Sequence, residues 1–347
     1  MDKNRPPKSL KSPLTILLLS RDYRRASAWT FEHLCDEIAS QHHVARSRGA
    51  PGETNVEKLI GGDDSPRFDC VLACHLQFTK GWSGIDKARE HGIPTACIVN
   101  DYFPRHYDYK DEIVRRHQFD ALLFSQRAFV DIARERQSAG HLPSHTRMEW
   151  LPFSVDGSIY YQYPSGNIEL ERVYDVTAIM SGHPFEYPNR PAAFGALHNF
   201  KINNPNYSCM FKFVDNPNGL EYSGDGIYHQ AYVDILKRSK IVIGSVDQHG
   251  SCNIRNFEAC ATGAMLLTDG PPNDFEALGW QDGVSYVGYR DCVDLIDKVR
   301  YYADPARQDE RERIAWAGWN LVAKRHNNVV RVRELTDMVR GLIGATD

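Results

Sequence analysis

The sequence predicts an α/β protein of two doubly wound domains, each a mostly parallel sheet covered by helices. Three observations carry this. Short apolar strands alternate with helical segments in both halves of the chain, as in βαβ units. The alternation breaks once, in the Pro-, Gly- and Tyr-bearing stretch around residues 153–168, and then starts again. The length of 347 residues suits two domains, each with its own core.

The first half opens with a continuous apolar strand over Leu14–Leu19, followed by a polar loop and a helix over Trp29–Ser40. His43–Ser47 reads as a weak second strand, and Gly49–Ser65 as mostly loop. Strands follow at Phe68–Ala73, Thr95–Val99, Ala121–Phe124 and Met148–Leu151. Helices separate them at Trp82–His91, Asp111–His117 and Gln126–Gln137.

The second half repeats the scheme. Strands are expected at Asp175–Met180, Tyr207–Val214, Ile241–Ile243, Ala264–Thr268 and Val284–Val287. Helices are expected at Pro191–Asn203, His229–Arg238, Ile254–Ala261 and Cys292–Ala303, and two longer ones close the chain. The stretch 238–270 is the most informative. A strand leads through the polar loop Gly244–Asn253 into a short helix, a turn that offers backbone N–H groups and a positive helix end to an anion. Arg255 and Glu258 lie three apart and share a face of that helix. A cation for phosphate and a carboxylate for sugar hydroxyls suit a nucleotide sugar; an exposed ion pair on an ordinary βα unit has the same pattern.

Composition narrows the classes. A net charge of −4 gives no general attraction to nucleic acid or anionic membranes. The eight cysteines form no CxxC pair, and with no signal peptide read they suggest reduced thiols in a cytoplasmic protein. Cys70, Cys74 and His75 are close in sequence, but their place at a strand favours packing over zinc. No apolar run reaches membrane-spanning length. Neither GxGxxG nor GxxxxGK[ST] is present.

In doubly wound sheets ligands collect beyond the carboxyl ends of the strands. Asp22, His75, Asn100, Asp101 and Ser125 stand at such ends in the first half. Gly182 follows the first strand of the second half, where a side chain would keep a ligand from the backbone. Tyr102, Phe103, Tyr107 and Tyr109 are candidates for an aromatic acceptor wall or for packing under a long loop.

Five segments together resemble one family: Leu236–Gly244, Asn253–Asp269, Asp294–Tyr302, Glu310–Gly318 with His326 and Arg331, and Trp150–Asp156. They resemble the spore-maturation CgeB-like branch of the glycosyltransferases with the two-Rossmann GT-B fold. The resemblance implies Rossmann-like domains facing across a cleft: an acceptor-side domain at 13–155 after a tail at 1–12, a linker at 156–168, and a nucleotide-sugar domain at 169–327. It also implies a C-terminal helix at 328–347 that crosses back to the first domain, by analogy with related folds.

The implied activity is transfer of a sugar from a nucleotide diphosphate sugar, a UDP-sugar being slightly favoured, to an acceptor that the sequence does not identify. No metal or other cofactor is expected, so fixed donors must meet the charge on the leaving diphosphate. The resemblance assigns donor binding to Gly182, Arg190, Ser251, Asn253, Arg255 and Glu258, with Glu258 on the ribose and cationic and backbone groups on the phosphates. His75 and Asp101 resemble elements that contact the sugar in retaining relatives, although Asn100 replaces a His of that pattern. The acid expected eight residues before Glu258 is replaced by Gly250, with His249 and Asp247 as the candidate substitutes. Retention is favoured; under inversion Asp22, His75 and Asp101 are the candidate bases. The alternatives are a non-catalytic nucleotide- or sugar-binding module on a degenerate scaffold, and a nucleotide-sugar epimerase.

Overall fold

The computed structural model describes residues 12–21, 30–48, 54–62, 65–161, 171–181, 184–214, 229–270 and 273–344. Two parallel sheets organise them. The first has six strands in the order His43–Ser47, Thr15–Leu19, Cys70–Ala73, Thr95–Val99, Ala121–Phe124, Arg147–Trp150. The second has five, in the order Cys209–Val214, Tyr174–Ser181, Ser239–Ile243, Met265–Asp269, Val287–Tyr289. In both, the first strand of the domain is flanked by the second on one side and a later strand on the other. The order reverses there, leaving a crevice at the carboxyl edge.

Burial on both faces explains why the strands read as continuous apolar runs. In the first sheet Leu17, Leu19, Val71, Cys97, Val99 and Leu122 join one core, while Ile16, Leu18, Leu72, Ile98 and Leu123 join the other. The alternation is the period-2 pleat of each strand. In the second sheet Ile241 pairs with Val176 on one side and Met265 on the other, all fully buried.

The closing helix Asn328–Ile343 packs on the first domain, not the second. Val332, Leu335, Val339 and Leu342 form one stripe and share a core with Leu14, Ile16 and Ile38. His42 Nε2 and Thr336 Oγ1 lie 2.8 Å apart, and Arg340 donates to Ser12 O at 2.9 Å. Chain entry and exit meet where Val155 pairs with Asn327. Leu335→Ala is expected to destabilise the protein by about 2–5 kcal/mol through transfer and cavity costs. Urea unfolding checks this; a loss below about 0.5 kcal/mol would show that the helix is not part of the core.

The helix expected at Asp111–His117 begins earlier, at Tyr107, and three segments differ more from the sequence reading. Trp82–His91 is not one helix but a two-residue strand, Trp82–Ser83, followed by a 3₁₀ turn at Asp86–His91. Gly84 between them has φ +72°, and a Cβ there would lie 2.6 Å from Asn55 Oδ1. That left-handed residue stops a helix from running through. Gly49–Ser65, read as loop, contains the short strand Thr54–Asn55, which pairs with Trp82–Ser83, and a helical turn Val56–Ile60 capped by the Asn55 side chain. The last strand is Val287–Tyr289 rather than Val284–Val287, because Val284 and Ser285 donate back to Gln281 O in a turn that leaves Val284 exposed.

Candidate functional site

The carboxyl edges of the two sheets face each other. Gln126, at the end of the first-domain strand Ala121–Phe124, donates from Nε2 to Asp247 Oδ2 of the second domain at 2.8 Å. Arg105 pairs with Glu186, and the Phe103 ring stacks on His249 with centroids 6.2 Å apart. The crevices of both sheets therefore open onto one interdomain space.

The loop Gly244–Asn253 is built differently from the sequence expectation. Its amides are largely taken within its own domain, four by carboxylates and four by main-chain carbonyls. Asp269 accepts from Val246 N at 2.6 Å, Asp247 Oδ1 from His249 N at 2.8 Å and Ser251 N at 2.9 Å, and Asp274 from Cys252 N at 3.0 Å. Asn253 caps the helix Ile254–Ala261 by accepting from Arg255 N at 3.0 Å, and its Nδ2 donates to Ser245 O. The loop is thus a prefolded support whose amides are mostly already engaged. Ser251 is buried and serves this support.

Asp247 does not stand in for the missing acid, since its carboxylate turns into the loop and onto Gln126. His249 is packed between Phe103 and Phe129. Gly250 itself has φ +72°, and a Cβ there would lie 2.7 Å from Asn273 Nδ2, so a larger residue would strain the turn.

Burial, against its two backbone N–H partners, pushes the Asp247 carboxyl up to about 7. The unfolded group titrates near 4. Between those values the native state holds the extra proton, so stability from this group falls as pH rises from about 4 to 7. Asp247→Asn is expected to gain stability above pH 7, by up to about 4 kcal/mol. Gln126 can flip to receive the new amide on Oε1, which has no hydrogen-bond partner among the described residues, giving up a long 3.4 Å bond from Nε2 to Cys252 O. Urea unfolding at pH 5 and pH 8 checks this; a variant less stable than wild type at pH 8 would overturn it.

Two arginines stand at the crevice of the second sheet. Arg190 begins the helix Arg190–Asn203 and joins the strand ends on either side of the crevice. Its Nε donates to Ser245 Oγ at 2.8 Å and its Nη1 to Ser181 Oγ at 2.7 Å, while the guanidinium lies 3.4 Å from the Tyr187 ring centroid. Burial lowers it to about 10, so it stays charged at neutral pH. Arg255 Nε makes a long contact of 3.4 Å to the Tyr232 hydroxyl, and its Nη1 is buried with no hydrogen-bond partner among the described residues. Each guanidinium feels the other's neighbourhood: the charge of Arg255 is among the causes that lower Arg190.

Glu258 is buried and is not in direct contact with Arg255 as an exposed ion pair would be. Oε1 accepts from Tyr160 Oη and Oε2 from Tyr232 Oη, both at 2.7 Å. Burial raises its carboxyl, while the two hydroxyls and Arg255 pull it back. Each oxygen retains a second lone pair. Tyr160 belongs to the short linker helix Gly157–Tyr160, so Glu258 also ties the linker to the second domain.

On the first domain His75 ends the strand Cys70–Ala73 at the crevice of that sheet, packed edge-on against Phe31. Burial, then the charges of Lys110 and Arg21, hold its imidazole down to about 3. It is neutral at working pH and a weak base. Asp101 is exposed, with φ +52°. Below it Lys110, wholly buried, donates from Nζ to Asn100 O at 2.8 Å and Asp101 O at 2.6 Å. Tyr102 and Phe103 are buried packing rather than an open wall, Tyr102 donating to Asp111.

The structure thus brings Arg190, Ser251, Asn253, Arg255 and Glu258 together on one side, with His75 and Asp101 opposite. Asp22 and Gly182 lie outside the described residues. Sequence reasoning missed Lys110, Tyr160, Tyr232, Asp269 and Asp274. Only Tyr160 gave a signal, as part of a tyrosine cluster at the linker.

Residues 202–337 match the family model described as glycosyl transferase-like. No curated protein matches the chain. Among solved structures it is similar to HepE from Anabaena, solved with UDP and glucose, at 12% identity and a TM-score of 0.63 over 94% of this chain and 100% of that one. The UDP-forming α,α-trehalose-phosphate synthase from Burkholderia vietnamiensis is similar at 12% identity and 0.63, covering 96% and 100%. The sucrose-phosphate synthase from Thermosynechococcus elongatus is similar at 11% and 0.59, covering 96% and 100%. At such identities the likeness is one of fold, and that fold is GT-B.

Proposed function

We propose that this GT-B glycosyltransferase moves a sugar from a UDP-sugar to an acceptor hydroxyl, with retention and without a metal, and that it belongs to the CgeB-like branch. One observation carries the donor assignment. Arg190 and Arg255 stand at the strand-order reversal of the second sheet with no ion pair among the described residues, and one guanidinium nitrogen of Arg255 lacks any hydrogen-bond partner. Glu258 and Asp269 offset these two cations only from beyond ion-pair distance, so a diphosphate between the arginines would be their direct partner. HepE was solved with UDP and with UDP-glucose, which supports a uridine nucleotide.

The two arginines meet the charge that grows on the leaving diphosphate. Glu258 receives the ribose hydroxyls on its second lone pairs. His75, neutral and weakly basic, hydrogen-bonds the sugar rather than deprotonating the acceptor, and the departing phosphate takes the proton. Asp101 reaches the sugar from the first domain. Calorimetry with UDP, GDP, ADP and TDP tests the nucleotide; failure of UDP to bind would end this reading. The anomeric proton coupling of the first product tests retention. Gly250 favours a second reading, donor binding without transfer. Absence of both transfer and slow donor hydrolysis across a panel of UDP-sugars would select it.

A further inference from the structure

Lys110 carries chemistry that the donor site does not use. It lies on the helix Tyr107–His117, and its side chain is fully buried beneath the carboxyl edge of the first sheet. Its ammonium has no ion pair among the described residues. Its hydrogen-bond partners among the described residues are two main-chain carbonyls, Asn100 O and Asp101 O. An uncompensated buried ammonium costs several kcal/mol, and an apolar residue would fill the space at lower cost.

What the ammonium holds is unusual backbone. Asp101 is one of three non-glycine residues at positive φ among the described residues. An aspartate there costs on the order of 1 kcal/mol. Its carbonyl accepts from Lys110 Nζ, from Phe103 N at 2.9 Å, and lies 3.2 Å from His106 Nδ1. The preceding residue is fixed as well: Asn100 Oδ1 accepts from Ser125 Oγ, while its buried Nδ2 has no hydrogen-bond partner among the described residues. Asp101 is exposed, and the same turn reaches the second domain, where Phe103 stacks on His249 and Arg105 pairs with Glu186. The carboxylate is therefore presented to the interdomain space.

We propose that Lys110 is a positioning residue for transfer, its ammonium clamping the Asn100 and Asp101 carbonyls so that the left-handed Asp101 presents its carboxylate to the donor sugar. This rests on the glycosyltransferase reading above. The role is distinct from donor binding, since Lys110 sits under the first domain and Arg190 and Arg255 hold the diphosphate on the second.

The test is a double-mutant cycle on the full chain with Lys110→Gln, Asp101→Ala and the double variant. Glutamine keeps one amide donor for the carbonyls but removes the charge. Lys110→Gln should lower kcat by about 10- to 100-fold, the range for a catalytic group displaced by about 1 Å. UDP affinity by calorimetry should stay within about threefold of wild type. In the Asp101→Ala background the same change should have no further effect. Additive losses would make Lys110 a general support and overturn the proposal, as would an unchanged kcat or an unfolded Lys110→Gln chain. A crystal structure of Lys110→Gln supplies an activity-independent arm. Asp101 should leave positive φ, and its retention there would also overturn the proposal. If wild type binds no UDP-sugar, the donor reading fails, while this structural arm still decides what Lys110 holds.

Discussion

Arg255→Ala is expected to weaken binding of UDP and its sugar conjugates by about a hundredfold, close to 2.7 kcal/mol. The guanidinium stands in the first turn of Ile254–Ala261, and Nη1 is buried without a hydrogen-bond partner among the described residues. The guanidinium's one hydrogen bond among the described residues, to Tyr232 Oη, is long at 3.4 Å. Removing the side chain therefore deletes little that holds the fold and much that would hold a phosphate. Charge-assisted, bidentate bonds to phosphate oxygens are the strong ones, and lysine cannot reproduce the fork. Arg255→Lys should fall between wild type and alanine. Arg190→Ala is a less clean probe, because Arg190 also joins Ser181 to Ser245 across the crevice and its loss would loosen the loop. Calorimetry with UDP at two salt concentrations checks the expectation. An affinity within threefold of wild type would move the diphosphate away from Arg255.

Several parts of this arrangement were legible in the chain. Asn253 followed by the apolar periodicity of Ile254–Ala261 marks a capped helix, and the structure has that helix with the same bounds. The alternation of apolar strands and helices gave both sheets, because strands covered on two faces cannot hide their composition. The less legible parts share a cause: they depend on partners remote in sequence. Gly84 breaks Trp82–His91 with a left-handed turn, and Asn55, far upstream, leaves no room there for a side chain. The loop amides are taken by Asp269 and Asp274 from the next strand and turn, so a segment that looks like an open anion nest is already closed on itself. Lys110 falls just before the helix expected at Asp111–His117, yet that helix begins at Tyr107 and carries Lys110 beneath the Asn100–Asp101 turn. Tyr160 and Tyr232 come from the linker and a separate helix to meet on Glu258, a convergence that no local spacing encodes.

That convergence makes Glu258 the second residue from which a large effect is expected, and it gives two separable signals. Glu258→Ala would leave two buried tyrosine hydroxyls without their acceptor and remove the carboxylate that offsets Arg255. Stranding buried polar groups costs about 1–3 kcal/mol each, so a stability loss of about 3–5 kcal/mol is expected from structure alone. Donor affinity measured on that variant would mix the two effects. Glu258→Gln separates them. Its amide oxygen accepts from one tyrosine and its NH₂ donates to the other, so most of the stability should remain. A ribose diol seeking carboxylate lone pairs would instead meet a donor on one side. The expected result is a loss of UDP-sugar affinity of about 10- to 100-fold with a stability change under about 2 kcal/mol. Tyr160→Phe provides the opposite control: it removes a competing hydroxyl, leaves the carboxylate, and should keep or strengthen donor binding while loosening the linker. If Glu258→Gln binds UDP-sugars like wild type, the carboxylate serves only to join linker and donor domain, and the ribose must be held elsewhere.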